Sequence, residues 1–262
     1  MSSLATIYAG LLPAEISFLV ALSARKGLAL TTHLARVCFG VYTSATERRV
    51  QRIGAKLEKL KAVTRRTIAR RNRTGGTSAV MWHITKRGLR LAFFGDKDIA
   101  RRIRWWDDGN SGLSQKEHTL AINDIECSLL DLAGSDIGFK VSEVRHEPDC
   151  WFYHGTIETR PDKFIQTEYA GKIANWFIEY ERTKKKPILI RAKCQEYREY
   201  IIENYEKLWA GNVPTVLWIC ETAGLKKLTQ ERVNESLGAY AGLCRVITPD
   251  ELVATVLRGE ND

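Results

Sequence analysis

Three carboxylates could meet near the middle of the chain. Asp162 follows Pro161 just ahead of a strand-like run, and Glu179 and Glu181 sit in the stretch Phe177-Ile178-Glu179-Tyr180-Glu181. Side chains alternate across a strand, so the two glutamates share a face about 7 Å apart. A hairpin turning at Gly171-Lys172 would set Asp162 opposite Glu181. Carboxylates held that close repel unless a proton or a cation joins them. Such an oxygen-lined cluster suits Mg²⁺ or Mn²⁺, which can activate water and steady a phosphoryl transition state. Lys193 and Tyr197 lie four residues apart on the helix that follows. Tyr180 points away from the carboxylates, which leaves Tyr169, Tyr197 and Tyr200 as possible nucleophiles. Each pick has a plain structural counterpart: Asp162 could fix a turn, Glu179 and Glu181 could be solubility residues on an exposed face, and Lys193 with Tyr197 could be a solvated helix face.

A second set of residues could bind a polyanion. Arg48, Arg49, Arg52 and Lys56 lie on one side of a helix expected from about Ala45 to Leu60. Val50, Ile53, Leu57 and Leu60 form its apolar back. An apolar back with long cationic donors in front is what a major-groove helix needs. From Lys61 to Arg73 the chain adds Lys61, Arg65, Arg66, Arg70, Arg71 and Arg73 with no acid. This run lies on and after a strand that should turn at Gly75-Gly76 into a second strand, Ala79 to Ile84. The expected product is a basic β-hairpin.

Charge separates these two regions. Residues 1–106 carry 21 Lys and Arg against 5 Asp and Glu, a net of +16, whereas the remainder is −7. The overall +9 thus hides a basic front that favours a polyanion, nucleic acid before an anionic membrane. The polar stretch 105–112 is the natural linker, giving domains 1–106 and 113–262. The apolar run from Leu4 to Ala24 contains Pro13 and Glu15, which suit a buried helix better than a spanning one, and it lacks the basic start of a signal peptide. Six scattered cysteines without a C-x-x-C pair read as reduced thiols of a cytoplasmic protein.

Helices are expected at Pro13–Leu22, after Thr31-Thr32, and from Thr43 or Ser44. Thr85 should cap another helix. In the back half a helix from Ser114 to Leu132 places His118, Ile122, Ile125 and Leu129 on one face. Short strands follow at 139–144, 151–153, 163–168 and 176–181. Next come a helix over 187–209, a strand over 213–220, a helix over 229–237 and a strand over 244–247. This order is an α/β layered domain.

Several of these phrases resemble known families. The helices, the basic hairpin and the closing phrase Trp82-His83-Ile84-Thr85-Lys86-Arg87-Gly88-Leu89 resemble a winged helix-turn-helix over about residues 4–95. Pro161-Asp162 and Glu179 resemble the PD-(D/E)xK nuclease superfamily, with Glu181 standing where that superfamily has Lys. The whole pattern is similar to the replication-relaxation family, which includes C-class plasmid mobilisation relaxases. It comprises His118, Asn123-Asp124, Pro161-Asp162, Phe177-x-Glu179-x-Glu181, and Lys193 with Tyr197. The resemblance implies a winged helix joined to a nuclease-like α/β domain, binding at a plasmid origin and nicking one strand. Asp162, Glu179 and Glu181 would hold Mg²⁺ or Mn²⁺, Lys193 would assist, and His118 would serve as general base. The alternative is a non-catalytic replication or transcription regulator with a degenerate nuclease fold. The expected partners are duplex DNA, a second copy of the chain and other proteins of the same element, with no membrane.

Overall fold

The computed structural model describes residues 3–72, 75–97, 113–154, 156–204, 209 and 212–258. The chain is mixed α/β and divides into two compact units, Met1–Gly134 and Ser135–Asp262. The expected linker, 105–112, lies outside the described residues.

In the first unit the apolar N-terminal run makes two helices rather than one. Gly10 closes α1 (Leu4–Ala9), and Pro13 opens α2 (Pro13–Ala24), where Glu15 reaches back to accept from the Leu12 N–H at 3.0 Å. A three-residue strand, β1 (Leu28–Leu30), runs directly into α3 (Thr31–Phe39). Gly40 then ends α3 in the left-handed region at φ +75°, where a side chain would be strained. Thr43 caps α4 (Ser44–Lys59), its hydroxyl accepting from the Thr46 N–H. The hairpin follows as β2 (Val63–Asn72) and β3 (Gly75–Ile84). β1 joins the other side of β3, so the sheet order is β1-β3-β2. Gly75 and Gly76 pair with Asn72 and Arg71 and belong to β3 rather than to the turn expected there; residues 73 and 74 lie outside the described residues. Thr85 caps α5 (Lys86–Ala92) through the Gly88 N–H.

Trp82 organises this core. Its ring is buried, meets Phe18 edge-on at 5.9 Å, and donates its indole N–H to Thr31 Oγ1 at 3.0 Å. Gly54 of α4 lies against that ring; a Cβ there would come within 2.4 Å of it. The helix therefore approaches the sheet closely because residue 54 has no side chain.

The helix read as the head of the second domain packs in the first unit. Four polar links hold α6 (Leu113–Ala133) there: Asn123 donates to Leu28 O at 3.0 Å, and His33 Nε2 meets Asp124 at 2.8 Å. Arg36 reaches Asp131 at 2.6 Å, and a buried ion pair joins Arg25 to Glu126. Leu120 adds an apolar contact with Leu28, Leu30 and Met81. The compact unit thus extends to Gly134 rather than stopping at 106.

The second unit has a five-stranded sheet in the order Cys244–Ile247, Thr215–Cys220, Lys172–Glu181, Lys163–Tyr169, Lys140–His146. β4 (Lys140–His146), β7 (Lys163–Tyr169) and β8 (Lys172–Glu181) pair antiparallel. β9 (Thr215–Cys220) and β10 (Cys244–Ile247) continue the sheet in parallel. Parallel neighbours need a crossover. The chain supplies α7 (Pro187–Asn204) between β8 and β9, and α8 (Ala223–Leu237) between β9 and β10. β5 (Phe152–His154) and β6 (Ile157–Thr159) form a separate ribbon, and α9 (Leu252–Arg258) ends the unit. Phe164, Phe177, Tyr197, Tyr200, Val216 and Trp218 form the core between the sheet and α7. All six cysteines are free thiols, five of them buried.

Candidate functional site

α4 has two unlike faces. Val50, Gly54 and Leu57 are buried, while Arg48, Arg49, Arg52 and Lys56 are exposed. At about 100° per residue the four cations fall within an arc of roughly 100°, opposite the docked face. Their environments differ. The Arg49 guanidinium lies over the Phe39 ring at 4.4 Å. Lys56 Nζ is 2.7 Å from Glu15, whose side chain is only 4% exposed. Arg48 and Arg52 have no ion-pair partner among the described residues. On β2, Arg65 and Arg66 are exposed, and Arg65 lies 3.2 Å from Glu58. Arg70 and Arg71 belong to β2 by backbone; their side chains and the whole of Arg73 lie outside what is described.

The carboxylates of the second unit gather, in a register two residues from the expected one. Ala170 and Gly171, at φ 51° and 76°, make a two-residue turn that pairs Tyr169 with Lys172 and Lys163 with Ile178. Continuing that register puts Asp162 opposite Glu179 rather than Glu181. A slip of two keeps the same face, so the cluster survives it. The Asp162 N–H donates to Ile178 O at 3.0 Å, and its carboxylate accepts from the Tyr180 N–H at 2.9 Å. Cys150 Sγ donates to Pro161 O at 3.1 Å, tethering the segment just ahead of Asp162.

Glu179 and Glu181 are buried, which removes the alternative of solubility residues on an exposed face, because α7 covers the side of β8 that carries Phe177, Glu179 and Glu181. Lys193 and Tyr197, one helical turn apart on α7, both reach Glu179. Lys193 Nζ is 2.7 Å from it, and the Tyr197 hydroxyl donates to its other oxygen. Lys185, just before α7, pairs with Glu181. Burial pushes the Glu179 carboxyl up to about 7. Lys193 and Tyr197 restrain that rise, and Asp162 adds to it. Burial also raises Glu181 against the pull of Lys185. Burial alone would lower the Lys193 ammonium, but Glu179, Asp162 and Glu181 carry it above its ordinary value. Burial and Glu179 hold the Tyr197 phenol well above its usual range, so it stays protonated. A cavity of about 440 Å³ opens on the Lys193 side, lined among others by Arg160, Lys185, Lys193 and Glu196.

This arrangement does not fit a divalent cation held by three carboxylates. Glu179 is taken by Lys193 and Tyr197, Glu181 by Lys185, and one Asp162 oxygen by a backbone N–H. Among the described residues no group of three or more His, Cys, Asp or Glu side chains is set to hold a metal. His118 lies half-buried on α6 of the first unit, whereas Asp162, Glu179, Glu181 and Lys193 belong to the second. Asn123 and Asp124 bind Leu28 and His33 and so have a structural task. Lys185 was missed in the sequence. Its signal was the four-residue spacing from Glu181, hidden because the chain between them leaves the strand.

Comparison with known families then decides the relationship. The replication-relaxation family matches residues 24–216. The chain belongs to the replication-relaxation family. The match runs from the end of α2 into β9 and so includes α4, the hairpin, Asp162, Glu179 and Lys193. Membership links the chain to replication or mobilisation of plasmids or other mobile elements. Comparison with curated proteins and with solved structures returned no match. No described helix is long and apolar enough to cross a membrane.

Proposed function

We propose that this replication-relaxation protein binds a duplex site on its element through the first unit, acting as a winged helix, and that the second unit has a PD-(D/E)xK-like fold. One observation carries the reading. α4 is docked by Val50, Gly54 and Leu57 and turns Arg48, Arg49, Arg52 and Lys56 outward, next to a hairpin bearing exposed Arg65 and Arg66. For the second unit the support is its connectivity. Three antiparallel strands lead through a helix to a parallel strand, with Asp162 at the head of β7, Glu179 within β8 and Lys193 on α7. The test is titration of the full chain with duplex DNA over a salt series. Affinity should fall steeply with salt, because cations on phosphates release counterions. Absence of duplex binding at low salt refutes the reading.

Strand nicking is a second reading, favoured by the convergence of Asp162, Glu179 and Lys193. The carboxylates are compensated by lysines, so nicking is best tested directly. Supercoiled DNA carrying the element's origin would be incubated with Mg²⁺, Mn²⁺ or chelator, beside Glu179→Gln. Nicking by wild type alone supports an enzyme; no nicking in any condition leaves a DNA-binding regulator.

A further inference from the structure

The cations of α4 are not equivalent. Arg49 is laid on Phe39, and Lys56 is tethered to the buried carboxylate of Glu15, which also accepts from the Leu12 N–H at the start of α2. A side chain already held in this way must give up its contact to reach a base edge. It is instead pre-oriented to meet a phosphate from where it stands. Arg48 and Arg52 are exposed, have no ion-pair partner among the described residues, and lie in the N-terminal half and middle of the helix. In helix-turn-helix proteins the N-terminal residues of such a helix are the ones that touch bases. The two arginines are four residues apart, about 6 Å of helix rise. Two base-pair steps of duplex rise about 6.8 Å. A guanidinium can hold a guanine by two parallel hydrogen bonds.

We infer that Arg48 and Arg52 are the specificity-determining pair of α4, reading guanines two base-pair steps apart, while Arg49 and Lys56 are positioning residues fixed by Phe39 and Glu15. This division of labour rests on the duplex-binding reading and adds to it the residues that choose the sequence. It also makes Phe39 and Glu15 part of the interface, although each acts through another side chain.

The experiment uses the full chain. A random-sequence duplex library is selected with wild type, and the chosen site and its single base-pair variants are then titrated with each mutant. Arg48→Ala and Arg52→Ala should each flatten the preference at one or two base pairs, by about 5- to 150-fold. Arg49→Ala and Lys56→Ala should weaken binding on every sequence alike and leave the preference intact. Phe39→Leu should reproduce Arg49→Ala, Phe39→Tyr should keep binding, and Phe39→Leu added to Arg49→Ala should weaken binding no further, which a loss of packing alone would not explain. Melting curves of each variant identify any that is unfolded, and Arg→Lys replacements at 48 and 52 serve in its place, since Lys lacks the paired donors. The inference is overturned if Arg49→Ala erases the base preference, if Arg48→Ala and Arg52→Ala weaken all sequences equally, or if wild type binds duplex without selecting any sequence. Failure of wild type to bind duplex at all removes the functional reading itself.

Discussion

Residues 113–134 should be required for the fold of the first unit, and the ion pair between Arg25 and Glu126 gives a measurable reason. Both side chains are almost wholly buried, 3% and 4% exposed. Arg25 also donates to Ala21 O at 2.7 Å, which fixes its guanidinium within the core. Glu126→Ala would leave that cation without its counter-charge, and breaking a buried pair from one side costs about 3–5 kcal/mol. Native domains have only about 5–15 kcal/mol to lose. Urea unfolding of a 1–134 fragment should therefore show a large shift of the midpoint for Glu126→Ala. Replacing both partners, Arg25→Met with Glu126→Leu, should recover most of the loss, because no charge is then stranded. A fragment ending at Gly109 loses the same pair together with the Asn123, Asp124 and Asp131 links and the Leu120 contact, and should not unfold cooperatively. Equal stability of the 109 and 134 fragments, or a change of less than about 1 kcal/mol on Glu126→Ala, would refute this role of residues 113–134.

Other outcomes are expected. Gly→Ala in a helix normally stabilises by up to about 1 kcal/mol. Gly54→Ala should do the reverse by roughly 1–3 kcal/mol, since the new methyl meets the Trp82 ring; a neutral result in urea titration would show that the ring can move aside. Arg65→Ala with Arg66→Ala should flatten the log affinity–log salt slope by about 1–2 units, and an unchanged slope would remove the hairpin from the interface. Glu179 binds its proton more tightly folded (about 7) than unfolded (near 4.5). Its contribution is therefore full below pH 4.5 and is lost as pH rises through about 7. The stability of wild type relative to Glu179→Gln, followed by melting from pH 5 to pH 8, should thus decline with pH; a rise would overturn the burial argument. Lys193→Met should cost more at pH 8 than at pH 5, where Glu179 can escape by taking a proton, and that pH dependence should vanish in the double mutant with Glu179→Gln.

Much of the fold could be read because it rests on local signals. Apolar spacing gave α4 and α6, the threonine caps gave the starts of α4 and α5, and β-rich runs gave β7 to β10. What escaped depends on partners distant in sequence. β1 is three residues long and exists because β3 offers it a free edge. α6 resembled the opening helix of the second domain, since nothing local shows that Glu126 answers Arg25 across about a hundred residues. The Gly75-Gly76 pair looked like a turn, yet the strand pairing carries it inside β3.

The carboxylate cluster shows why residue types were legible and their state was not. Alternation along β8 put Glu179 and Glu181 on one face whatever the register, so proximity followed from the sequence. Charge state depends on what covers that face, and the cover is α7. A helix laid over two glutamates would face a large desolvation cost unless it brought cations and donors with it. α7 brings Lys193 and Tyr197 at a spacing that aims both at one carboxylate, and the segment leading into it brings Lys185 for the other. Asp162 then sits beside an assembly already largely compensated. The same residues that match the family pattern therefore also hold the helix to the sheet. Loss of activity on mutating any of them would be ambiguous between chemistry and packing, and pH-resolved stability beside DNA nicking separates the two.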